Sequence, residues 1–198
     1  LVDTGLWMLL INHGMRSGEA TGITWDCIDW DRGELHIRQT VRTPAKFEKT
    51  PKDKGWRLEN TTKTGNVRTR SISGRMVEVF MALEQAQELE ANDLAAHWET
   101  PVTPLTKEQK AEQGIKPRWS NRNPRGFIFT RLLGKPLNPT MTWRRWSNLL
   151  KSSNVRHARV HDIRHSFAYE RRSKGTDAAT LANLMGHANV STTLSMYG

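Results

Sequence analysis

A mainly α-helical domain with one small three-stranded antiparallel sheet in its first half, an α+β arrangement, is what the residue pattern predicts. Three observations carry that expectation. Apolar residues recur at helical spacing in most of the chain, with 3.6-residue periodicity in both halves. One stretch, Leu35, Ile37 and Gln39 against His36 and Arg38, alternates with period two. Glycine and proline fall between these segments rather than within them, where turns and helix ends need them.

Taken in order, Leu6, Leu9 and Leu10 mark the packed end of a helix over 5–13, stopped by Gly14. Ser17 suits the N-cap of a short second helix, with Glu19 in its first turn. Trp25 to Asp31 reads as a turn, 34–41 as a strand, and 42–55 as a basic loop in which Pro44 and Pro51 disfavour strand. Residues 57–62 and 67–72 can pair as a hairpin across Lys63-Thr64-Gly65-Asn66. Ser73 caps a long helix from 75 to 96, with Met76, Val79, Phe80 and Leu83 on one face. The stretch 99–125, with four prolines and little periodicity, is expected to be a loop or insertion. Phe127–Thr130 is a short apolar strand candidate, and Gly134-Lys135-Pro136 a turn. Asn138-Pro139-Thr140 opens a helix with Trp143, Trp146 and Leu150 as its core face. Three more helices follow, from His161 to Lys174, from Asp177 to Met185, and from Ser191 through Tyr197, with Gly175 and Gly186 as stops.

Charge is distributed unevenly. The net formal charge is +10 over 198 residues, yet residues 116–176 carry 15 basic and 2 acidic side chains, a net of +13. Such a block points to a polyanion, most simply nucleic acid, although a basic solvated surface has the same composition. The single cysteine, Cys27, excludes a disulfide scaffold and a Cys-based zinc finger, and fits a reducing compartment. No apolar run approaches the ~18 residues of a membrane span. A chain of this length can bury its own core without metal or disulfide staples.

Individually, the residues that can do chemistry are ambiguous. His161 and Arg164, at i and i+3, share a helix side, where an imidazole beside a guanidinium suits a phosphate; a polar surface has the same look. His161 and His165 have metal-ligand spacing, but the H-E-x-x-H glutamate and a third ligand are missing, so no metal site is expected. His157 falls in a linker and reads as surface. Arg16, between a helix-stopping glycine and a capping serine, can face an anion or pair with Glu19 or Asp29. Lys63 near a hairpin tip has the position of an ordinary solvated lysine. His187 follows Gly186, and Tyr197 lies ten residues further on. A free phenol has a pKa near 10, so Tyr197 needs cationic neighbours or a base to act as a nucleophile.

Together, these segments resemble the catalytic domain of the tyrosine recombinases, the phage integrase family. The G-[LM]-R-x-x-E motif appears as Gly14, Met15, Arg16 and Glu19, and the hairpin lysine as Thr62-Lys63-Thr64. The H-x-L-R-H-[ST]-F-A box appears as His161-Asp162-Ile163-Arg164-His165-Ser166-Phe167-Ala168. Leu184-Met185-Gly186-His187 gives the L-x-G-H box, and Ser191-Thr192-Thr193 leads to Tyr197 with one residue more than the short form of the motif. The likeness runs from Arg16 to Tyr197.

The resemblance implies that Arg16, Lys63, His161, Arg164, His187 and Tyr197 converge in one basic groove. Tyr197 would attack a DNA phosphate to give a 3′-phosphotyrosyl link, and Arg16, Arg164 and His187 would stabilise the charge that develops. Lys63 would protonate the leaving 5′-oxygen, and His161 would move a proton or hold the phosphate. Neither metal, ATP nor any other cofactor is implied. The implied partner is double-stranded DNA, with a homo-tetramer on DNA in the full-length protein and no membrane. The implied setting is the cytoplasm, at the nucleoid, of a bacterial, phage or mobile-element host. Residues 1–198 are expected to form a single catalytic domain, without the family's N-terminal DNA-clamping domain and C-terminal tail. A type IB topoisomerase-like strand transferase, an inactive basic DNA-binding module and a hydrolytic nuclease are the alternatives. The H-x-x-R-H-S-F-A and M-G-H boxes favour the recombinase.

Overall fold

The computed structural model describes residues 1–44, 56–59, 65, 67–93, 126–131 and 134–197. Lys63, the loop or insertion expected at 99–125 and, apart from its edge at 42–44, the basic loop expected at 42–55 lie outside the described residues.

The chain opens with α1 (Val2–His13), which buries Leu6, Leu9 and Leu10 on one face and Trp7 beside them. Gly14 ends it in the left-handed conformation, its N–H donating to Leu10 O. The short α2 (Ser17–Thr21) follows, with Arg16 rather than Ser17 as its N-cap. Glu19 explains the shift. Its carboxylate reaches back to the Arg16 N–H at 2.9 Å, the Glu-to-N-cap half of a capping box, so the cap is set from the third helical residue.

The expected turn at 25–31 is more ordered than a turn. A 3₁₀ helix, Trp25–Cys27, runs into β1 (Ile28–Asp29). β2 (Glu34–Ile37) pairs antiparallel with β1, and the predicted strand over 34–41 then breaks. The buried Gln39 side chain causes the break by donating to Gly22 O at 2.6 Å and Thr24 Oγ1 at 2.8 Å, which turns the chain toward α2. It resumes as β3 (Thr40–Arg42), which pairs with β4 (Arg57–Glu59) in a separate two-stranded ladder. β5 (Arg68–Ser71) pairs with β2, giving a three-stranded antiparallel sheet in the order β1-β2-β5. The expected hairpin partners at 57–62 and 67–72 therefore find different strands: among the described residues, each ladder joins one of them to the 34–42 segment.

α3 (Gly74–Asp93) lays Met76, Phe80 and Leu83 against α1. Phe127–Thr130 forms isolated bridges to Thr24 and Pro136 instead of a full strand. Gln87 of α3 takes over part of the missing ladder, its amide donating to Phe127 O, Ile128 O and Thr130 Oγ1 while its oxygen accepts from Trp25 Nε1. α4 (Pro139–Ser152) is capped by Asn138, which accepts from Met141 N–H at 2.8 Å. Its core face differs from the expected one: Trp143 is exposed, while Trp146 packs on Trp7 with ring centroids 5.1 Å apart and Leu150 is buried. α5 (Val160–Ser173), α6 (Ala178–Met185) and α7 (Val190–Tyr197) complete the domain.

The main core gathers α1, the sheet, α3 and Phe129 into one apolar cluster, with Phe80 and Phe129 edge to face. Each fully buried Leu or Phe there contributes about 1.5–3 kcal/mol. A smaller cluster, Phe167, Ala168, Leu181 and Met185, joins α5 to α6, and Tyr197 of α7 packs on its edge. Among the described residues, no helix is long and apolar enough to cross a membrane.

Candidate active site

The site is built on the C-terminal ends of two helices. Gly186, at φ 65°, closes α6 in a Schellman arrangement: the His187 N–H donates to Ala182 O at 2.9 Å and the Gly186 N–H to Asn183 O at 3.0 Å. Three arginines from three other elements supply donors to the carbonyls of this turn. Arg70 of β5 reaches Asn183 O and Leu184 O, Arg164 of α5 reaches Met185 O, and Arg16 reaches Gly186 O at 3.5 Å. Cations at a helix C-terminus also meet the negative end of its dipole. The L-x-G-H box is thus a helix stop that fixes the direction in which His187 leaves the turn.

Arg164 is almost wholly buried and donates its other terminal nitrogen to Gly14 O, tying the end of α1 to the end of α6. Burial first, then repulsion from Arg16, brings its pKa down to about 10, so it remains a cation at neutral pH. Arg16 pairs with Glu19 at 2.9 Å and keeps part of its guanidinium open to solvent. Arg68 of β5 takes the other side of Glu19 at 2.5 Å. Burial opposes ionisation of Glu19, but the hydrogen bonds and charge of Arg68, with those of Arg16, outweigh it and hold the carboxyl below the usual carboxylate range.

His187 Nδ1 lies 2.8 Å from Thr193 Oγ1 on the buried side of α7. Burial, reinforced by Arg164, Arg16 and Arg68, lowers its pKa to about 4, so the imidazole is neutral at pH 7. In the tautomer in which Thr193 donates to Nδ1, Nε2 carries the proton and can donate to an anion. Tyr197 Oη sits 2.7 Å from His165 Nδ1, and Arg172 Nε donates to Tyr197 O at 3.2 Å. Burial raises the Tyr197 pKa, with Arg164 acting in the opposite direction. His161 is exposed at the start of α5 and stands edge-on to His165, ring centroids 4.8 Å apart. Burial, then His165 and Arg164, lowers its pKa.

Five of the six residues singled out in the sequence therefore fall in one neighbourhood: Arg16, Arg164, His187, Tyr197 and His161, the last reaching it through His165. Lys63 lies outside the described residues. Reading the sequence missed three members. Arg68 and Arg70 alternate along β5, but nothing in a strand of that length marks them as site residues. His165 stands in the H-x-L-R-H-[ST]-F-A box and has metal-ligand spacing to His161, but neither reading points to its contact with Tyr197. Among the described residues, no three His, Cys, Asp or Glu side chains are grouped to hold a metal ion.

A helical domain with a small sheet brings Arg, His and Tyr side chains together at two helix ends, and comparison with known proteins gives the chain a family. The sequence profile of the phage integrase family matches residues 1–198, and the chain belongs to that family. It is 24% identical over 193 residues to the tyrosine recombinase XerC-like protein of Caldanaerobacter subterraneus subsp. tengcongensis, covering 97% of this chain and 44% of the relative. It is 22% identical over 199 residues to the prophage integrase IntR of Escherichia coli, covering 98% of this chain and 42% of the relative. The chain thus spans less than half the length of these curated relatives. Among solved structures, it superposes on the Tn1549 transposon integrase in complex with transposon right end DNA with a TM-score of 0.69 at 17% identity, covering 98% of this chain and 53% of that one. XerH site-specific recombinase bound to difH substrate gives a TM-score of 0.57 at 17% identity, over 98% and 42% of the two chains. These likenesses establish the mainly α fold with its small antiparallel sheet.

Proposed function

We propose that the chain is the catalytic part of a site-specific DNA recombinase that cuts and rejoins double-stranded DNA through a 3′-phosphotyrosyl intermediate at Tyr197. The observation that carries this reading is the shared anchorage of Arg16, Arg164 and His187 on the single turn 183–187, with Tyr197 on the helix that follows. A phosphodiester under attack gathers negative charge on its non-bridging oxygens. Donors and cations fixed in advance are the strongest available means of stabilising it. Arg16 offers an open guanidinium edge. Arg164 offers a charge held in low dielectric, and neutral His187 offers an N–H donor.

Tyr197 attacks phosphorus, the bond to the 5′-oxygen breaks, and that oxygen takes a proton from Lys63, the role the family resemblance gives it. Attack by the 5′-hydroxyl of a second strand reverses the step. Bond energy is conserved in the phosphotyrosine, so ATP is not consumed, and the guanidiniums supply the charge that a metal would otherwise provide. The names of structural neighbours that are Tn1549 transposon integrases in complex with DNA support a DNA partner. Assembly as a tetramer on DNA, in a bacterial or phage setting within the cytoplasm, completes the proposal.

The test is a nicked suicide duplex library, randomised around the nick, from which the cleaved fragment diffuses away. An SDS-resistant protein–DNA adduct is expected, and it should vanish in Tyr197→Phe, which keeps the ring. Arg164→Lys, which keeps a cation in the buried site, should slow adduct formation roughly 10²–10³-fold by analogy with loss of an oxyanion donor. Salt-dependent binding with no adduct would favour the inactive DNA-binding module, and free cleaved product a hydrolytic nuclease.

A further inference from the structure

We propose that His165 is the group that accepts the phenol proton when Tyr197 attacks. This inference rests on the cleavage reading above. Tyr197 Oη is 2.7 Å from His165 Nδ1, the distance of a formed O–H···N bond. The two rings lie 5.7 Å apart between centroids at 56°, so the phenol meets the edge of the imidazole, where the nitrogen lone pair is.

The placement follows from the helix. His165 succeeds Arg164 in α5, about 100° around the axis. Arg164 turns inward to the helix ends at Gly14 and Met185, while His165 lies on the half-exposed side facing α7. His161, one turn earlier on the same face, backs the ring edge-on. The charged and titratable groups around His165 are His161, Asp162 and Arg164 from α5 and Tyr197 from α7. His161, which the family resemblance made the proton-handling residue, is one ring removed from the phenol.

The chemistry requires such a group. Tyr197 resists ionisation where it sits, so its proton must leave as the Oη–phosphorus bond forms. In the step proposed, the Tyr197 O–H bond breaks and its proton passes to His165 Nδ1. Oη bonds to phosphorus, the bond from phosphorus to the 5′-oxygen breaks, and its electron pair stays on that oxygen, which is protonated separately. On rejoining, the His165 imidazolium returns the proton to Tyr197 as the phenol departs. A positioned base of this kind contributes roughly 10²–10⁴-fold.

Two measurements test the assignment. In the first, His165→Ala and His165→Gln are compared with the unmodified chain on the nicked library, made once with ordinary phosphodiesters and once with sulfur replacing the bridging 5′-oxygen. Sulfur leaves without a proton, so it relieves a lost acid but not a lost base. Both variants should form adduct roughly 10²–10⁴-fold more slowly on both substrates, and added imidazole should restore part of the His165→Ala rate. An unchanged rate, or full rescue by sulfur, overturns the proposal. The second measurement needs no cleavage: ¹⁵N NMR of the free protein should show the neutral His165 ring with its proton on Nε2, with a shift that moves in Tyr197→Phe. A proton resident on Nδ1 in the neutral ring overturns the assignment whatever the cleavage assay gives. Adduct formation by Tyr197→Phe would instead defeat the cleavage reading itself, so the two failures are distinct.

Discussion

Arg68 Nη2 lies 2.5 Å from Glu19 Oε2, joining β5 to a helix cap 49 residues earlier in the chain. Both side chains are almost wholly buried, at 3% and 1% exposure. Burying two ions is unfavourable unless their remaining hydrogen-bond capacity is filled. Here it is largely filled: Glu19 accepts from the Arg16 N–H, from Arg16 Nη1 and from both terminal nitrogens of Arg68. What begins as half a capping box becomes the brace that orients Arg16. Glu19→Gln should cost about 3–5 kcal/mol, because it strands a buried guanidinium. In a double-mutant cycle by urea unfolding, Glu19→Gln with Arg68→Met should cost less than the two single changes summed, by about 1–3 kcal/mol. Strict additivity would show that the pair is not coupled.

Gly186 is held by geometry on two counts. Its φ of 65° is left-handed, and a Cβ there would run into the Arg68 guanidinium, which Glu19 prevents from moving aside. Gly33 has nearly the same φ, 63°, with nothing within 4 Å of the added carbon. Gly33→Ala should therefore cost only the backbone strain, about 1–2 kcal/mol. Gly186→Ala adds overpacking of about 1–3 kcal/mol. Thermal unfolding should separate the two variants, and equal losses would mean that Arg68 yields.

Most helix boundaries were legible in the sequence because helix signals are local. Gly14, Gly175 and Gly186 as stops, and Asn138 and Asp177 as caps, can each be read within one turn of chain. The order of Arg16, His161, Arg164, His187 and Tyr197 was legible through motif spacing. Strand pairing was not, because the ladder between β2 and β5 joins residues over 30 positions apart and depends on Gln39 breaking the strand between them. Trp143 was misplaced because, at i and i+3, it shares a helix side with Trp146, and only packing on Trp7 decides which of the two is covered. The contacts of Arg68, Arg70 and His165 were not legible for one reason: they are made with partners on other elements, which no local pattern carries.

Binding to DNA should weaken steeply with salt. The +13 net charge of residues 116–176 includes Arg144, Arg156, Arg159, Arg171 and Arg172, all exposed. Each phosphate neutralised releases counterions worth about −0.9 in the slope of log affinity against log salt. Fluorescence anisotropy with a random-sequence duplex should give a slope of several units, and Arg156→Ala should reduce its magnitude by about 1 if that side chain meets a phosphate. A flat salt dependence would rule out the basic block as the binding surface.

His13 should lower stability on mild acidification. It closes α1 at 9% exposure, and its Nε2 has no hydrogen-bond partner among the described residues. Burial first, then Arg70 and Arg171, lowers its pKa from 6.5 to about 4. The unfolded chain, with the ordinary value, takes up the proton first. The stabilisation is therefore complete above the unfolded pKa and is lost as pH falls from there toward the folded value. Between pH 7 and pH 5, the linkage relation gives a loss of about 2 kcal/mol from this group. His187 acts in the same direction, to a smaller extent because it is partly solvated. Glu84, whose carboxyl is pushed up to about 7 by burial and then by Glu88, acts in the opposite direction, but it is common to the parent and a His13→Leu variant, so the difference between the two isolates His13. Urea midpoints at the two pH values should show the parent losing its advantage over His13→Leu by about 2 kcal/mol on acidification. A gap that stays constant with pH would mean that His13 does not change its protonation on unfolding.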